Sequence, residues 1–137
     1  MEKDGKWRYT SPTHVVLAFA QALKELEAEG SIPARCRRYT ENNCLLIVKM
    51  KELGFDPYID SAHQGPIITT FSYPSDISFQ FSEFYQYIKE REYAIYPGKL
   101  TDLDTFRIGN IGEIYKEDIE KLIQIIGTFL ADKKEAK

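Results

Sequence analysis

The sequence predicts an α+β fold, in which a small, mostly antiparallel sheet is covered by helices on one face. Segments with helical apolar spacing alternate with short β-branched or aromatic segments, in the order α-α-β-β-α-β-β-α. The connections between them are too irregular for the repeating units of a doubly wound parallel sheet. A sheet with a helical layer on one side therefore fits this order best.

Proline and glycine delimit the first two helices. Ser11 is the expected N-cap of the first helix, Pro12 its first helical residue, and Gly30 its end. The second helix is expected after Ser31-Ile32-Pro33, with Gly54 as its C′ residue. The predicted inward faces are Val15, Phe19, Ala22, Leu23 and Leu26 in the first helix, and Tyr39, Asn43, Leu46, Met50 and Leu53 in the second.

Shorter elements follow, and the last helix has the clearest pattern. Its stripe consists of Ile119, Leu122, Ile123, Ile126, Phe129 and Leu130. We expect a third helix over 81–92, with Phe84, Tyr85 and Ile88 inward. The expected extended segments are 56–60, 66–71, 93–96 and 105–108.

Length and charge exclude several classes of protein. A chain of 137 residues is long enough for one domain with a real core. We expect a lead-in segment over 1–12, a small domain over 13–131 and a frayed charged tail over 132–137. The net charge of −3 gives no basic patch for nucleic acid or an anionic membrane. There is no run of 18 apolar residues and no signal-peptide pattern, so the prediction is a cytoplasmic protein.

The two cysteines and two histidines suggest no metal site. Cys36 and Cys44 lie eight residues apart in one helical stretch, too far apart to bridge. We expect two reduced thiols in or near the core. His14 and His63 have no zinc-ligand spacing with either of them.

Two features near the amino terminus suggest charge recognition. Three hydroxyl residues crowd the start of the first helix in the run Trp7 to His14, where free N–H groups favour an anion such as phosphate; ordinary capping is the alternative. Arg35, Arg37 and Arg38 stand near the start of the second helix, where cations oppose the helix dipole. They form either a solvated face or pairs with an acidic neighbour or a partner subunit.

Two further features lie in the carboxy-terminal half. The run Tyr96-Pro97-Gly98-Lys99 reads as a strand end and turn carrying a lysine. The run Asp104 to Gly112 places Arg107 inside a strand, between apolar residues that share the opposite face. Arginine suits bidentate recognition of a carboxylate or phosphonate, and a solvent-facing arginine on an edge strand is the alternative.

Together these segments resemble the carboxy-terminal part of the 2-aminoethylphosphonate–pyruvate aminotransferases, a class V (fold type I) family of pyridoxal-phosphate enzymes. The matching stretches occur in family order and span almost the whole chain. They are 7–23, Ala34-Arg-Cys-Arg-Arg-Tyr39, Gly65-Pro-Ile-Ile-Thr69, Ile95-Tyr-Pro-Gly-Lys99 and Asp104-Thr-Phe-Arg-Ile-Gly-Asn-Ile-Gly112.

The resemblance implies a reaction and two site residues. The family moves an amino group from 2-aminoethylphosphonate to pyruvate, giving phosphonoacetaldehyde and alanine, in a homodimer that uses pyridoxal 5′-phosphate. Thr10 matches a threonine that binds the cofactor phosphate of the neighbouring subunit. Arg107 matches the arginine that grips the acid group of either substrate. Lys99 and the three arginines are typical of the family, without an assigned role.

The resemblance also implies that no catalytic residue lies in this chain. The family's Schiff-base lysine belongs to a large cofactor-binding domain that precedes the segment matching Met1. We therefore expect the small domain of the enzyme, inactive by itself. Two alternatives stay open: another class V aminotransferase, such as an alanine–glyoxylate or serine–pyruvate enzyme, and a free-standing, non-catalytic binding or dimerisation module.

Overall fold

The computed structural model describes residues 7, 9–75, 79–96 and 104–135. Four helices and two strands form within these ranges, which confirms the predicted α+β class. The helices are α1 (Thr13–Ala28), α2 (Ser31–Glu52), α3 (Phe81–Lys89) and α4 (Lys116–Glu135), and the strands are β1 (Ile68–Ser72) and β2 (Thr105–Gly109).

The chain divides into two compact units, residues 1–35 and 36–137, and the boundary falls inside α2. The first unit holds α1 and the start of α2. Arg35 closes the turn between these helices, since its Nε lies 2.6 Å from Oε2 of Glu29. The division at residues 12 and 131 inferred from the sequence stays a prediction.

The sheet of the second unit is antiparallel, as predicted. β1 pairs with β2 in a register that sets Thr70 opposite Arg107 and Phe71 opposite Phe106. Of the other two predicted strands, 56–60 contributes a single bridge from Pro57 to Phe71, and 93–96 a single bridge from Tyr96 to Arg107. These segments lie at the two edges of the pair, where short contacts are common.

One face of the sheet carries the hydrophobic core. Phe71, Phe106 and Ile108 are buried there. They belong to one cluster with Leu46 and Met50 of α2, Phe84 and Ile88 of α3, and Ile119, Leu122, Ile126, Phe129 and Leu130 of α4. The predicted inward residues of α4 are therefore confirmed, with Ile123 partly buried. Aromatic rings dominate the centre: the ring of Phe106 lies 5.5 Å from that of Phe55 and 5.3 Å from that of Phe84.

Gly54 ends α2 as the sequence predicts. Its φ of 88° is left-handed, and its N–H donates to the carbonyl of Lys51 at 3.0 Å. The Phe55 N–H donates to the carbonyl of Met50 at 2.9 Å, which completes a Schellman motif. Phe55 and Met50 are both fully buried, so the cap also joins the helix end to the core.

α3 ends with the same motif but without glycine. The N–H groups of Glu92 and Tyr93 donate to the carbonyls of Lys89 and Ile88 at 3.1 and 3.3 Å. Glu92 thus occupies the C′ position with φ 68°. The helix is shorter than the predicted 81–92, because this left-handed turn ends it at Lys89.

The first residues of α1 and α2 both differ from those that the sequence predicts. Pro12, with φ −78° and ψ 63°, is the N-cap of α1, and no side chain caps the helix. The Thr13 N–H donates to the carbonyl of Ser11 across this inverse γ-turn, so the predicted roles of Ser11 and Pro12 are wrong by one residue. α2 begins at Ser31 rather than after Pro33, because a proline in the first helical turn removes only an N–H that has no partner there.

Three other expectations from the sequence are wrong. No residue of α1 is buried, although Val15, Phe19 and Leu23 form the predicted apolar stripe. Cys36 and Cys44 are free but both exposed, because they do not share the face of α2 that carries Leu46 and Met50. Helix α4 continues through Glu135, so 132–135 is helical rather than a frayed tail.

The two Schellman caps predict opposite responses to substitution. Glu92→Gly should raise the free energy of unfolding by about 0.5–1 kcal/mol, because glycine adopts a left-handed φ without the Cβ penalty. Gly54→Ala should lower it by about 1 kcal/mol, although a Cβ at Gly54 would meet no atom within 4 Å, since the cost lies in the backbone. Urea denaturation followed by circular dichroism measures both; a destabilised Glu92→Gly variant would contradict the assignment.

Candidate functional site

Arg107 stands at the centre of β2 with its side chain exposed. Its neighbours along the strand point to the opposite face, where Phe106 is fully buried and Ile108 is 2% exposed. The strand is thus fixed by its apolar residues, and the arginine side chain projects from the face that the core does not use. This placement is the one that the alternation of residues in 105–108 predicts.

A neighbour flanks Arg107 on each side of β2. The Arg107 N–H donates to the carbonyl of Tyr96 at 3.1 Å, and the Tyr96 N–H donates to the carbonyl of Arg107 at 3.0 Å. On the other side Arg107 lies opposite Thr70 of β1. Directly opposed residues of antiparallel strands share a face, so the side chains of Tyr96, Arg107 and Thr70 form a row across the sheet.

A buried amide fixes the chain immediately after β2. Asn110 is fully buried, and its Nδ2 donates to the carbonyls of Tyr39 at 3.1 Å and Pro66 at 2.9 Å. Its Oδ1 accepts from Nδ2 of Asn43 at 3.3 Å, and that same Nδ2 donates to Oγ1 of Thr69 at 2.8 Å. This network joins α2, the approach to β1 and the end of β2.

Arg38 fastens the next few residues to α2. Its Nη1 donates to the carbonyls of Gly112 at 2.8 Å and Ile114 at 2.9 Å. The guanidinium lies 5.0 Å from the ring of Tyr39 and 4.9 Å from that of Tyr115, within range for cation–π attraction. Arg38 is therefore not a free solvated cation, because its Nη1 donates to two loop carbonyls.

The loop needs its second glycine for a conformational reason. Gly112 has φ 91°, and its N–H donates to the hydroxyl of Tyr39 at 3.1 Å. Asn42 adds a further bond from its Nδ2 to the carbonyl of Ile114 at 2.8 Å. The run from Asp104 to Gly112 is thus largely explained by strand pairing, burial and loop anchoring.

Arg107 is the exception in that run. Among the residues that the structure describes, its guanidinium makes no hydrogen bond or ion pair, whereas Arg35 and Arg38 have the partners given above. A rigidly mounted, exposed guanidinium offers a planar set of donors to an anion from outside the chain. This is the arrangement that a carboxylate or phosphonate site requires.

The other predicted site residues belong to different segments of the chain. Thr10 is exposed and lies in the first unit, just before α1, whose first turn holds no acidic residue. Lys99 falls outside the described residues. Arg37 is exposed on α2. Sequence reasoning did not identify Asn43 and Asn110 as structural residues, although asparagine on an inward helix face is a signal of a buried polar network.

The shifted pKa values belong to phenols outside the row of Arg107. Burial, with a smaller contribution from the Asp104 carboxylate, raises the pKa of Tyr73. Burial, with a smaller contribution from Asp118, raises the pKa of Tyr93, whose hydroxyl donates to the carbonyl of Asp118 at 3.0 Å. Both phenols therefore stay protonated at neutral pH. None of the described helices is long and apolar enough to cross a membrane.

The architecture is that of an aminotransferase segment. An alanine–glyoxylate aminotransferase from Nostoc matches 94% of this chain and 34% of its own length, with a TM-score of 0.81 at 19% identity. An aspartate aminotransferase from Thermus thermophilus matches 96% of this chain and 36% of its own length, with a TM-score of 0.75 at 20% identity. At these identities the likeness shows the fold alone. It confirms the prediction that this chain has a fold found in fold type I aminotransferases.

The sequence points to one group among these enzymes. The chain is 55% identical over 133 residues to a 2-aminoethylphosphonate–pyruvate transaminase from Lysinibacillus sphaericus, across 97% of this chain and 36% of the relative. A bifunctional phosphonoacetaldehyde hydrolase/aminoethylphosphonate transaminase from Clostridioides difficile is 56% identical over 131 residues, across 95% of this chain and 21% of the relative. No protein-family model matches the chain. The predicted resemblance is confirmed: the chain is homologous to a segment of 2-aminoethylphosphonate–pyruvate transaminases.

The chain spans between a fifth and just over a third of the length of these two relatives. This proportion is consistent with the carboxy-terminal domain that the resemblance implies.

The anchored loop and the exposed arginine should respond differently to truncation. Asn110→Ala should lower the free energy of unfolding by about 2–4 kcal/mol, because the carbonyls of Tyr39 and Pro66 and the buried Asn43 amide each lose a partner. Arg107→Ala should change it by less than about 0.5 kcal/mol, as expected for an exposed side chain. Denaturation of both variants in parallel measures this; a strongly destabilised Arg107→Ala protein would make the arginine structural.

Proposed function

We propose that this chain is the substrate-binding part of an enzyme that transfers the amino group of 2-aminoethylphosphonate to pyruvate, giving phosphonoacetaldehyde and alanine. The observation that supports this function most directly is Arg107, a buried-strand residue whose exposed guanidinium has no partner among the described residues. Identities above 50% to proteins named for this reaction support the choice of substrates.

Arg107 supplies binding and orientation for both substrates. One substrate ends in a phosphonate and the other in a carboxylate, and in each half of the reaction the anion must be held while the carbon that carries the amino or oxo group reacts. A planar, permanently charged fork binds two oxygens of either group. Because β2 is paired on both sides and anchored by Asn110, the guanidinium is mounted on a rigid element, which favours a fixed substrate position.

Pyridoxal 5′-phosphate is the proposed cofactor of the complete enzyme, where it would act as the electron sink of the transamination. The segment before α1 suits its phosphate group: Thr10 is exposed, and no acidic residue lies in the first turn of the helix. The Thr10 hydroxyl would donate to the phosphate held by a neighbouring subunit. No residue of this chain is proposed as catalytic, and the chain alone is proposed to be inactive.

The alternatives have less support. A different class V aminotransferase would share the fold, but the structures named for other substrates are 19–20% identical to this chain, which identifies the fold alone. A non-catalytic module requires no anion site, so an unpartnered arginine at the centre of a strand does not favour it. A cytoplasmic location stays a prediction of the sequence.

The proposed function can be tested in a hybrid in which this chain replaces the matching segment of the Lysinibacillus sphaericus transaminase. Arg107→Ala should raise KM for 2-aminoethylphosphonate and for pyruvate by more than about tenfold, since a lost contact to a buried charged group costs about 2–5 kcal/mol. Arg107→Lys should restore only part of the loss, because an ammonium cannot reproduce the fork. Normal KM values in Arg107→Ala would refute the assignment.

Self-association is the proposed state of the chain, mediated by α1. Val15, Phe19 and Leu23 are 67%, 63% and 48% exposed, and Leu17, outside that stripe, is 67% exposed. A helix that is apolar on more than one face is normally buried, and exposed apolar area favours association.

Sedimentation of the isolated chain should therefore show oligomers that dissociate on dilution. Phe19→Glu should shift the chain towards monomer by placing a charge in the stripe. Val48→Glu is the matched control, because Val48 is 53% exposed on α2 and should leave the distribution unchanged. A wild-type chain that stays monomeric at high concentration would argue against an α1 interface.

A further inference from the structure

Tyr96 has a side chain that the fold does not use. It is 62% exposed and makes no side-chain hydrogen bond among the residues that the structure describes. Its backbone is nevertheless fixed, because it exchanges two hydrogen bonds with Arg107, at 3.0 and 3.1 Å. The residue that follows is Pro97, which further restricts Tyr96 to extended conformations. An exposed phenol on a fixed backbone is therefore placed beside the proposed anion site.

The two substrates differ in how many oxygens they present. A carboxylate has two oxygens, and the two parallel N–H bonds of a guanidinium can bind both. A phosphonate has three oxygens, so one is left without a donor from Arg107 alone. Once the site is closed to water, a charged oxygen without a hydrogen-bond donor is costly.

We propose that Tyr96 is a specificity-determining residue whose hydroxyl donates to the third phosphonate oxygen, so that it favours the aminophosphonate without contributing to pyruvate binding. This inference rests on the proposed function, because it requires Arg107 to bind the acid group of both substrates. The phenol hydroxyl is a suitable donor, and its aromatic body needs few rotatable bonds to hold it in place.

Side-chain length favours Tyr96 over Thr70 as the residue that donates to the phosphonate. Both lie directly beside Arg107 on the same face of the sheet. The hydroxyl of a threonine stays close to the backbone, whereas a tyrosine hydroxyl and the guanidinium of an extended arginine stand far above it. An anion held by the end of Arg107 is thus within reach of the Tyr96 hydroxyl and beyond that of Thr70. Thr70 therefore provides a matched control in the same row.

The test measures KM for each substrate in the hybrid enzyme. Tyr96→Phe keeps the ring and removes only the hydroxyl, and it should raise KM for 2-aminoethylphosphonate about tenfold, the effect of one hydrogen bond to a charged group. KM for pyruvate should stay within about twofold, a difference too small to represent a lost hydrogen bond. Thr70→Val removes a hydroxyl that lies close to the backbone and keeps the shape of the side chain, so it should leave KM for both substrates unchanged.

A second measurement does not depend on activity. The hybrid is titrated with methylphosphonate and, separately, with acetate, and the two dissociation constants are measured by calorimetry. Tyr96→Phe should weaken the response to methylphosphonate and leave the response to acetate unchanged. An unchanged methylphosphonate titration would overturn the inference even if the hybrid were inactive.

The outcomes separate this inference from the proposed function. If Arg107→Ala leaves both KM values normal, the proposed function fails and the inference fails with it. If Arg107→Ala raises both while Tyr96→Phe raises neither, only the inference fails. An equal rise of both KM values in Tyr96→Phe also overturns it, because Tyr96 would then position Arg107 rather than discriminate between substrates.

Discussion

The hydrogen bonds of Asn110 are the constraint on which the geometry of the second unit depends. One buried amide satisfies carbonyls of α2 and of the approach to β1, and it accepts from a second buried amide, Asn43. Removing this amide leaves the carbonyls of Tyr39 and Pro66 and the buried Asn43 amide each short of one partner at once, which costs more than a single hydrogen bond is worth. The end of β2 therefore has one strongly favoured position relative to α2.

A fixed strand end has a direct consequence for Arg107. The side chain itself adds little to stability, since it is exposed. Its strand pairs with β1 along one edge and forms a single bridge from Arg107 to Tyr96 on the other, three residues before Asn110. Its neighbours in the sequence provide burial, pairing and turn geometry. In the run from Asp104 to Gly112, the other residues thus fix the strand and the loop, whereas Arg107 projects its side chain from the exposed face of the strand. The backbone of Arg107 is therefore already ordered, and an anion that bound there would have to order only the rotamers of the side chain.

Sequence patterns predicted the elements whose cause is local. The stripe of α4 and the Gly54 cap follow from helical periodicity and from the left-handed turn that glycine permits. The short segments at 56–60 and 93–96 were predicted as strands, but their bridges depend on where β1 and β2 lie, which local composition does not encode. Asn43 was recognised as inward-facing without its role, because its partners Thr69 and Asn110 lie 26 and 67 residues away. Arg107 was located correctly because alternation within a strand is a local rule; its role rests on the resemblance and stays a proposal.

The two units differ in how far they bury their own apolar side chains. The second unit buries a cluster of aromatic and aliphatic side chains from α2, α3, α4 and both strands. In the first unit no residue of α1 is buried, so local terms such as helix propensity, the Gln21–Glu25 hydrogen bond and the Glu29–Arg35 pair support a 16-residue helix. Helices of this length are marginal in water without tertiary packing. Since the relatives are about three to five times as long as the matched segment, a larger body that covers the α1 stripe would explain these residues. On that reading Thr10, at the entrance to α1, acquires a fixed position only in the assembled enzyme, whereas Arg107 is already fixed within its own unit.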